Sequence, residues 1–274
     1  KIRSLALLVL LNLPAVAFNP EPLRLAIKDL AATWPREYPR ADEFLRRLDA
    51  VTTDAEFAAL QREALLANPL LDFDRILLIQ RRLGGKARSA MSGELGVGTL
   101  NAHSNDSLRR TGWDNEIRVL SGLRGKPKLD TLFKPDGGKI VADIELNPDA
   151  KRLMFSSIGA QGNWRVFEMN TDGSPPRQLT PDDGPDVGHF DSCYLPDGRI
   201  IFASTAVYQG LPCEAGGRIM VCLYQLDPAT GGIRQLTFEQ DSDWCPTVMP
   251  DGRVMYLRWE YSDLAHSNSR RLFR

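Results

Sequence analysis

The chain has 274 residues, of which 43% are hydrophobic and 25% are charged, the proportions of an ordinary globular protein. Its 34 Lys and Arg side chains nearly balance 35 Asp and Glu side chains, giving a formal net charge of −1. No chain-wide basic field therefore exists to attract a phosphate backbone, and we do not expect nucleic acid as a partner.

Residues 1–17 have the pattern of a secretory signal peptide. Lys1 and Arg3 form a basic start, residues 5–13 are apolar except for Asn12, and 15–17 read Ala-Val-Ala, a small-x-small cleavage site. The apolar run is shorter than the ~20 residues that span a bilayer. We expect a periplasmic or secreted protein without a membrane span; the alternative is a buried N-terminal helix.

Residues 18–70 are predicted to form a helical segment. Apolar residues recur there at spacings of three and four, which is typical of amphipathic helices. Thr53 followed by Glu56 predicts a capping box at the start of a third helix. Asn68-Pro69 predicts its end, because the residue before a proline disfavours the helical conformation.

From residue 71 the pattern changes to short apolar strands separated by turn formers. The turns Pro148-Asp149, Pro196-Asp197-Gly198 and Pro250-Asp251-Gly252 each precede an apolar strand. Between them, Arg-Gln-Leu-Thr occurs at 177–180 and again at 234–237. A four-stranded propeller blade takes ~40–45 residues, so the spacing of these marks fits one blade with about ten residues left for one enlarged loop.

The repeats predict an all-β fold: an incomplete β-propeller of about three to four four-stranded blades at 71–274, truncated at the C-terminus. Whole blades are expected at about 141–180 and 187–237. A third blade is expected to start near Asp243, and a partial blade with an inserted loop at 73–134.

The repeat of Pro-Asp-Gly, apolar strand and Gln-Leu-Thr resembles that of TolB-like β-propellers. The segments 190–194 (Phe-Asp-Ser-Cys-Tyr), 243–247 (Asp-Trp-Cys-Pro-Thr) and 258–263 (Arg-Trp-Glu-Tyr-Ser-Asp) resemble more closely the propeller region of the hydrazine synthase alpha-subunit family. That family carries c-type haems in regions beyond its propeller. This sequence has no Cys-x-x-Cys-His motif, so we expect no cofactor in this chain; haem would belong to a missing downstream region.

Propeller topology predicts that the polar outliers gather on one face, which we call the top face: the end of the blades opposite the Pro-Asp-Gly turns. Loops around a propeller channel are common ligand sites. The candidate ligand-binding residues are His189, Asp191, Cys193, Cys213, Asp243, Trp244, Cys245, Glu260, Tyr261, Asp263 and His266. The long loop 84–113, with His103, is expected on the same face.

Each candidate also has a purely structural interpretation. The histidines are compatible with solvated loop positions, Trp244 with blade packing, and Asp191 and Asp243 with turn capping. Because export places the cysteines in an oxidising compartment, we expect at least one disulfide among Cys193, Cys213, Cys222 and Cys245; buried thiols and metal ligands are the alternatives. No usual zinc-ligand spacing occurs, so no metal site is predicted, and no catalytic residue is assigned.

The sequence therefore favours a binding or scaffolding module of a larger periplasmic protein. The expected partner is a protein, another domain of the same polypeptide, or a small molecule at the top face. One alternative is the propeller region of a haem-dependent redox enzyme resembling the hydrazine synthase alpha subunit. Another is a hydrolase or lyase that uses the top-face carboxylates.

Overall fold

A computed structural model describes residues 19–83, 105–211, 215–260 and 270–274. The expected signal peptide at 1–17 lies outside these residues. Within them, no helix has both the length and the apolar character needed to cross a bilayer. The chain divides into two compact units, one made of 1–76 with 120–129 and the other of 77–119 with 130–274.

The first unit is built on three helices: α1 (Glu21–Thr33), α2 (Ala41–Ala50) and α3 (Asp54–Leu66). Their apolar stripes meet in a small core. The fully buried apolar side chains of this core are Leu23, Ile27, Tyr38, Phe44, Leu48, Leu60 and Ala64. The predicted capping box is confirmed, because the Thr53 hydroxyl accepts from the backbone N–H of Glu56 while the Glu56 carboxylate accepts from that of Thr53.

The described residues also form fourteen strands in four antiparallel sheets and two short 3-10 helices. The first sheet contains β1 (Arg75–Leu83), β2 (Trp113–Ser121) and β3 (Lys128–Phe133). The second contains β4 (Val141–Leu146), β5 (Arg152–Ile158), β6 (Trp164–Asn170) and β7 (Arg177–Gln178). The third contains β8 (His189–Tyr194), β9 (Ile200–Ser204), β10 (Cys222–Leu226) and β11 (Ile233–Gln235). The fourth contains β12 (Ser242–Val248), β13 (Val254–Trp259) and β14 (Arg270–Phe273).

Within each sheet the strands are paired in chain order, as in a propeller blade. The first strands of successive blades lie against one another, β4 against β8 and β8 against β12. Two sheets have four strands and two have three among the described residues. The sequence-based prediction of an incomplete all-β propeller with N-terminal helices is confirmed.

The sequence repeats correspond to repeated hydrogen bonds. In both Gln-Leu-Thr segments the Gln side chain donates to the Thr backbone carbonyl at 2.8 Å, from Gln178 to Thr180 and from Gln235 to Thr237. Each Thr hydroxyl accepts from a backbone N–H of the neighbouring strand, at 3.0 and 2.9 Å. The motif therefore fixes the short outermost strand of each blade to its neighbour.

The blades are held together by a core of large aromatic and aliphatic side chains. Its largest fully buried members include Trp164, Phe190, Phe202 and Trp259. Trp164 and Phe190 meet edge to face across the second and third sheets, with ring centroids 6.1 Å apart. Such aromatic burial dominates packing energetics, so this core positions the first strands on which the candidate site lies.

Candidate functional site

The first strand of each of the last three blades contains a β-bulge at the same place. The strand register shifts between Ala142 and Glu145, between Phe190 and Cys193, and between Trp244 and Thr247. A bulge leaves one residue unpaired and re-aims its side chain. The bulges therefore mark one equivalent position on β4, β8 and β12.

The residues at that position are Asp143, Asp191 and Cys245, which we call the bulge row. Their φ angles are 53°, 54° and 53°, in the left-handed region that residues other than glycine rarely adopt. Strained backbone of this kind persists where the surrounding structure over-determines it, and it clusters at functional sites. Its repetition in three blades indicates that the bulge row is a regular feature of the fold and not a local irregularity.

Hydrogen bonds connect the bulge row across the blade boundaries. The backbone N–H of Cys245 donates to the Asp191 carboxylate at 2.5 Å. The Asp143 carboxylate accepts from the side chain of Asn105, and the nearby Ser156 hydroxyl and Asp191 backbone both favour its charged form and so oppose the rise in its pKa. The N–H of Asp191 further donates to the Ser156 hydroxyl at 2.9 Å. The Asp191 carboxylate thus holds the backbone of the next blade, and the Ser156 hydroxyl of the preceding blade holds the backbone of Asp191.

Both carboxyl groups have raised pKa values. Burial and, after it, the nearby charge of Asp143 together raise the pKa of Asp191 to about 7, against the opposing effect of the Cys245 N–H. Burial likewise raises the pKa of Asp143. The row therefore carries less than its full negative charge near neutral pH, and it gains acceptor strength when it loses protons.

The Cys245 thiol stays protonated at neutral pH. Although the residue is exposed to solvent, the protein atoms packed around the thiol partly desolvate it and raise its pKa well above the ordinary value, and the negative charge of Asp191 raises it further. Since the thiolate is the nucleophilic form, this cysteine is a weak nucleophile. Two guanidinium groups flank the row: Arg81 attracts the Asp143 charge, and Arg270 lies over the Trp244 ring at 5.2 Å.

His189, a predicted ligand, is a buried side chain with both ring nitrogens engaged. It is 2% exposed, Nδ1 lies 3.0 Å from the Ser204 hydroxyl and Nε2 lies 3.0 Å from the Asp183 carboxylate. Its ring packs edge to face against Phe202. Burial lowers its pKa to about 4, so the ring is neutral at pH 7 and packs as part of the core.

Asp243 and Trp244 also point into the protein. Asp243 is fully buried and forms a two-pronged ion pair with Arg258, at 2.7 and 3.0 Å. Arg258 also bonds Glu239 at 2.9 Å. Trp244 is buried in the interblade core, which agrees with its structural interpretation.

The other predicted residues are spread over different environments. Cys193 is a buried thiol whose pKa burial raises to about 12, and Glu260 pairs with Arg271 at 2.8 Å. The remaining predicted residues, Cys213, Tyr261, Asp263, His266 and His103, lie outside the described residues. Of the predicted set, the structure thus brings Asp191 and Cys245 together, and their role in binding stays a prediction.

The described cysteines and histidine do not fit a c-type haem. Cys193 and Cys222 are fully buried in separate strands, whereas thioether attachment needs two neighbouring reachable thiols. His189 already uses both nitrogens within the protein. Cys193, Cys222 and Cys245 carry free thiols, and no group of three or more potential metal ligands is found in the part of the chain that the structure describes.

Sequence reasoning missed Asp143. A usable signal was present, because Asp143, Asp191 and Cys245 each stand five residues before the proline of a repeated turn, at 148, 196 and 250. Aligning the three first strands on that proline would have placed Asp143 beside the other two. The left-handed backbone that makes the position distinctive is visible only in the structure.

Comparison with solved structures finds propellers. Hydrazine synthase from Kuenenia stuttgartiensis matches with a TM-score of 0.50 and 18% identity, over 68% of this chain and 27% of that chain. TolB from Acinetobacter baumannii matches with a TM-score of 0.38 and 22% identity, over 53% of this chain and 32% of that chain.

No family model and no curated protein sequence matches this chain. The chain spans about a quarter of the length of the hydrazine synthase chain that it matches, and at 18% identity the likeness concerns the fold alone. Together with the four antiparallel sheets and their repeated turns, this likeness shows that the described residues form an incomplete β-propeller fold preceded by three helices.

Proposed function

We propose that this chain is a binding module of a larger exported protein, and that its ligand is held over the bulge row of Asp143, Asp191 and Cys245. The observation that carries the proposal is the threefold repetition of a left-handed bulge on the first strands of neighbouring blades. Ligand sites of propellers commonly lie along the inner strands and the loops around them.

The ligand that fits the row is a cation or a strong hydrogen-bond donor. The row offers two carboxyl groups whose raised pKa values make protons and cations compete for the same oxygens. A bound ammonium or guanidinium group would lower both pKa values and be held by charge-assisted hydrogen bonds. The proposed ligand class is therefore an amine- or guanidine-bearing group on a protein or small molecule.

Binding is favoured over covalent catalysis by the chemistry of the row. An activated nucleophile needs an adjacent base or a lowered pKa. The Cys245 pKa is raised, and the described histidine, His189, is neutral with both nitrogens occupied. These properties suit a recognition surface, as expected for a scaffolding or binding module.

The alternative role is the propeller region of a redox enzyme. Its support is the likeness in fold to hydrazine synthase. That role requires haem attached elsewhere in the same polypeptide. A pyridine haemochrome spectrum of the full-length protein, purified from its native source, distinguishes the two. The binding-module proposal predicts no covalent haem, and a stoichiometric c-type spectrum contradicts it.

Calorimetric titration with N-acetyl-lysine amide and N-acetyl-arginine amide tests the binding proposal, with N-acetyl-glutamine amide as the neutral control. We expect the cationic probes to bind, and Asp191→Asn to weaken them about tenfold, the value of one charge-assisted hydrogen bond. Asp197→Asn is the matched control, because Asp197 lies in a Pro-Asp-Gly turn and pairs with Arg199. Equal affinity for the neutral probe, or equal loss in both variants, contradicts the proposal.

Export is tested separately. The proposal predicts that the protein recovered from the periplasm or culture medium of an expressing bacterium begins at Phe18, after cleavage following Ala17. N-terminal sequencing of the mature protein measures this. Recovery of the uncut chain in the cytoplasm alone contradicts the export part of the proposal and leaves the binding part to the titration.

A further inference from the structure

The helical unit contains a second feature that the bulge row does not explain. A cleft of about 290 Å³ lies between α3 and the tip of the β2–β3 hairpin, residues 122–127. Its apolar lining includes Ala59 and Leu66, and its charged lining includes Arg62 and Arg124. All of these residues belong to the unit made of 1–76 and 120–129.

The two arginines are positioned by the backbone. Arg62 donates to the carbonyl of Leu123 at 2.6 Å, and Arg124 donates to the carbonyl of Phe73 at 3.0 Å. The hairpin tip is itself anchored, because Asp74 accepts from the backbone N–H groups of Gly122 and Leu123 at 3.0 and 2.8 Å. Both guanidinium groups are therefore held at the cleft through neutral carbonyl acceptors.

The acidic residue of the cleft is already neutralised. Glu63 pairs with Arg40 at 2.6 Å and with Arg47 at 2.8 Å, and Glu43 pairs with Arg40 at 2.7 Å. Two positive and two negative side chains of this network cancel. Among the described residues no carboxylate pairs with Arg62 or Arg124, and Asp74 is bound by the backbone N–H groups of the hairpin tip, so the cleft combines an apolar wall with a positive rim.

We propose that this cleft binds a carboxylate that carries a small apolar group, the chemistry presented by the C-terminal residue of a peptide. Arginine recognises carboxylates with planar, charge-assisted hydrogen bonds, and the fixed backbone contacts keep both guanidinium groups from folding away. The apolar wall at Ala59 and Leu66 suits an aliphatic side chain beside the carboxylate. This site is independent of the bulge row.

N-acetyl-L-leucine is the probe, titrated into the full chain and followed by calorimetry. We expect saturable binding, no binding of N-acetyl-leucine amide, and at least tenfold weaker binding of acetate, which lacks the side chain. Arg62→Gln and Arg124→Gln are each expected to weaken N-acetyl-leucine about tenfold. The control Arg46→Gln removes the same charge from an exposed position of α2 outside the cleft and should leave affinity unchanged.

The Ala59→Leu variant distinguishes loss of the binding site from loss of the folded structure. Ala59 is exposed, so a larger side chain is tolerated by the fold, but it fills the cleft while keeping both arginines. Loss of binding in Ala59→Leu with an unchanged melting temperature supports the site. The proposal is overturned if N-acetyl-leucine does not bind, or if the amide or acetate binds as well as N-acetyl-leucine. It is also overturned if Arg46→Gln weakens binding equally or if Ala59→Leu binds normally.

A peptide source of the ligand is indicated if acetyl-peptides ending in leucine bind more tightly than the free probe.

Discussion

The backbone N–H of Cys245 donates to the Asp191 carboxylate across the boundary between two blades, at 2.5 Å. The backbone N–H of Asp191 in turn donates to the Ser156 hydroxyl of the preceding blade at 2.9 Å. The Asp191 carboxylate, which we propose contacts the ligand, therefore also joins two blades. Ligand binding and blade cohesion depend on the same carboxyl group, and this dual role leads to testable consequences.

The first prediction concerns stability. Asp191→Ala removes the acceptor for the Cys245 N–H and should lower the free energy of unfolding by about 1–3 kcal/mol. Asp191→Asn keeps an acceptor oxygen without the charge and should lower the free energy of unfolding by less than Asp191→Ala does. Urea unfolding followed by tryptophan fluorescence measures both. Equal stability of the Ala and Asn variants at pH 7 would show that the hydrogen bond across the blade boundary contributes nothing.

The second prediction concerns pH. The pKa of Asp191 rises from about 4 in an unfolded chain to about 7 in the folded one. The folded state therefore binds more protons between these values, and stability from this group is full below pH 4 and is lost as the pH rises through 7. Asp191→Asn lacks this dependence.

Unfolding free energies at pH 5 and pH 8 test it as a difference between wild type and Asp191→Asn. Subtracting the two proteins cancels the contribution of His189, which is the same in both. The pKa of His189 is lowered to about 4, so its contribution to stability changes with pH in the direction opposite to that of Asp191. We expect Asp191→Asn to gain stability relative to wild type as the pH rises. A pH-independent difference contradicts the raised pKa.

A third prediction concerns the turn in the first whole blade. Ala150 has a φ of 55°, at the place where Gly198 and Gly252 occupy the later Pro-Asp-Gly turns. A left-handed conformation costs about 1–2 kcal/mol for residues with a Cβ atom. Gly198→Ala should therefore destabilise by about this amount.

Ala150→Gly should stabilise by less, because glycine also loses more conformational freedom on folding, roughly 0.5–1 kcal/mol. Thermal melts of the two variants, compared with wild type, provide the measurement. Destabilisation by Ala150→Gly would mean that the turn is not strained.

The fourth prediction separates His189 from the ligand site. His189→Ala leaves Ser204 and Asp183 without their partner and opens a cavity beside Phe202, so it should destabilise by about 2 kcal/mol or more. The affinity for N-acetyl-lysine amide should not change in the folded variant. Normal stability of the variant together with lost affinity for the probe would indicate that His189 contacts the ligand.

Blade positions were predictable from sequence because their determinants are local. Pro-Asp-Gly turns and the Gln-Leu-Thr segments carry their own hydrogen bonds, and the capping box at Thr53 needs only Glu56 three residues later. The surroundings of single polar residues were not predictable in the same way. His189 is satisfied by Ser204, fifteen residues away on the next strand, and the bulge row by residues of neighbouring blades.

The central claim is that the ligand lies over the bulge row, and Cys245 offers a built-in reporter. Cys245 is exposed, whereas Cys193 and Cys222 are buried. Alkylation with iodoacetamide at pH 8.5, mapped by mass spectrometry, should modify Cys245 slowly and the two buried thiols not at all. Asp191→Asn should accelerate the reaction, because the Asp191 charge raises the Cys245 pKa.

Alkylation in the presence of saturating N-acetyl-lysine amide is the most direct measurement. The account predicts that the probe slows modification of Cys245 in the wild-type protein and has little effect in Asp191→Asn. If the probe binds by calorimetry but leaves the alkylation rate of Cys245 unchanged, the ligand lies elsewhere and the bulge row only joins the blades.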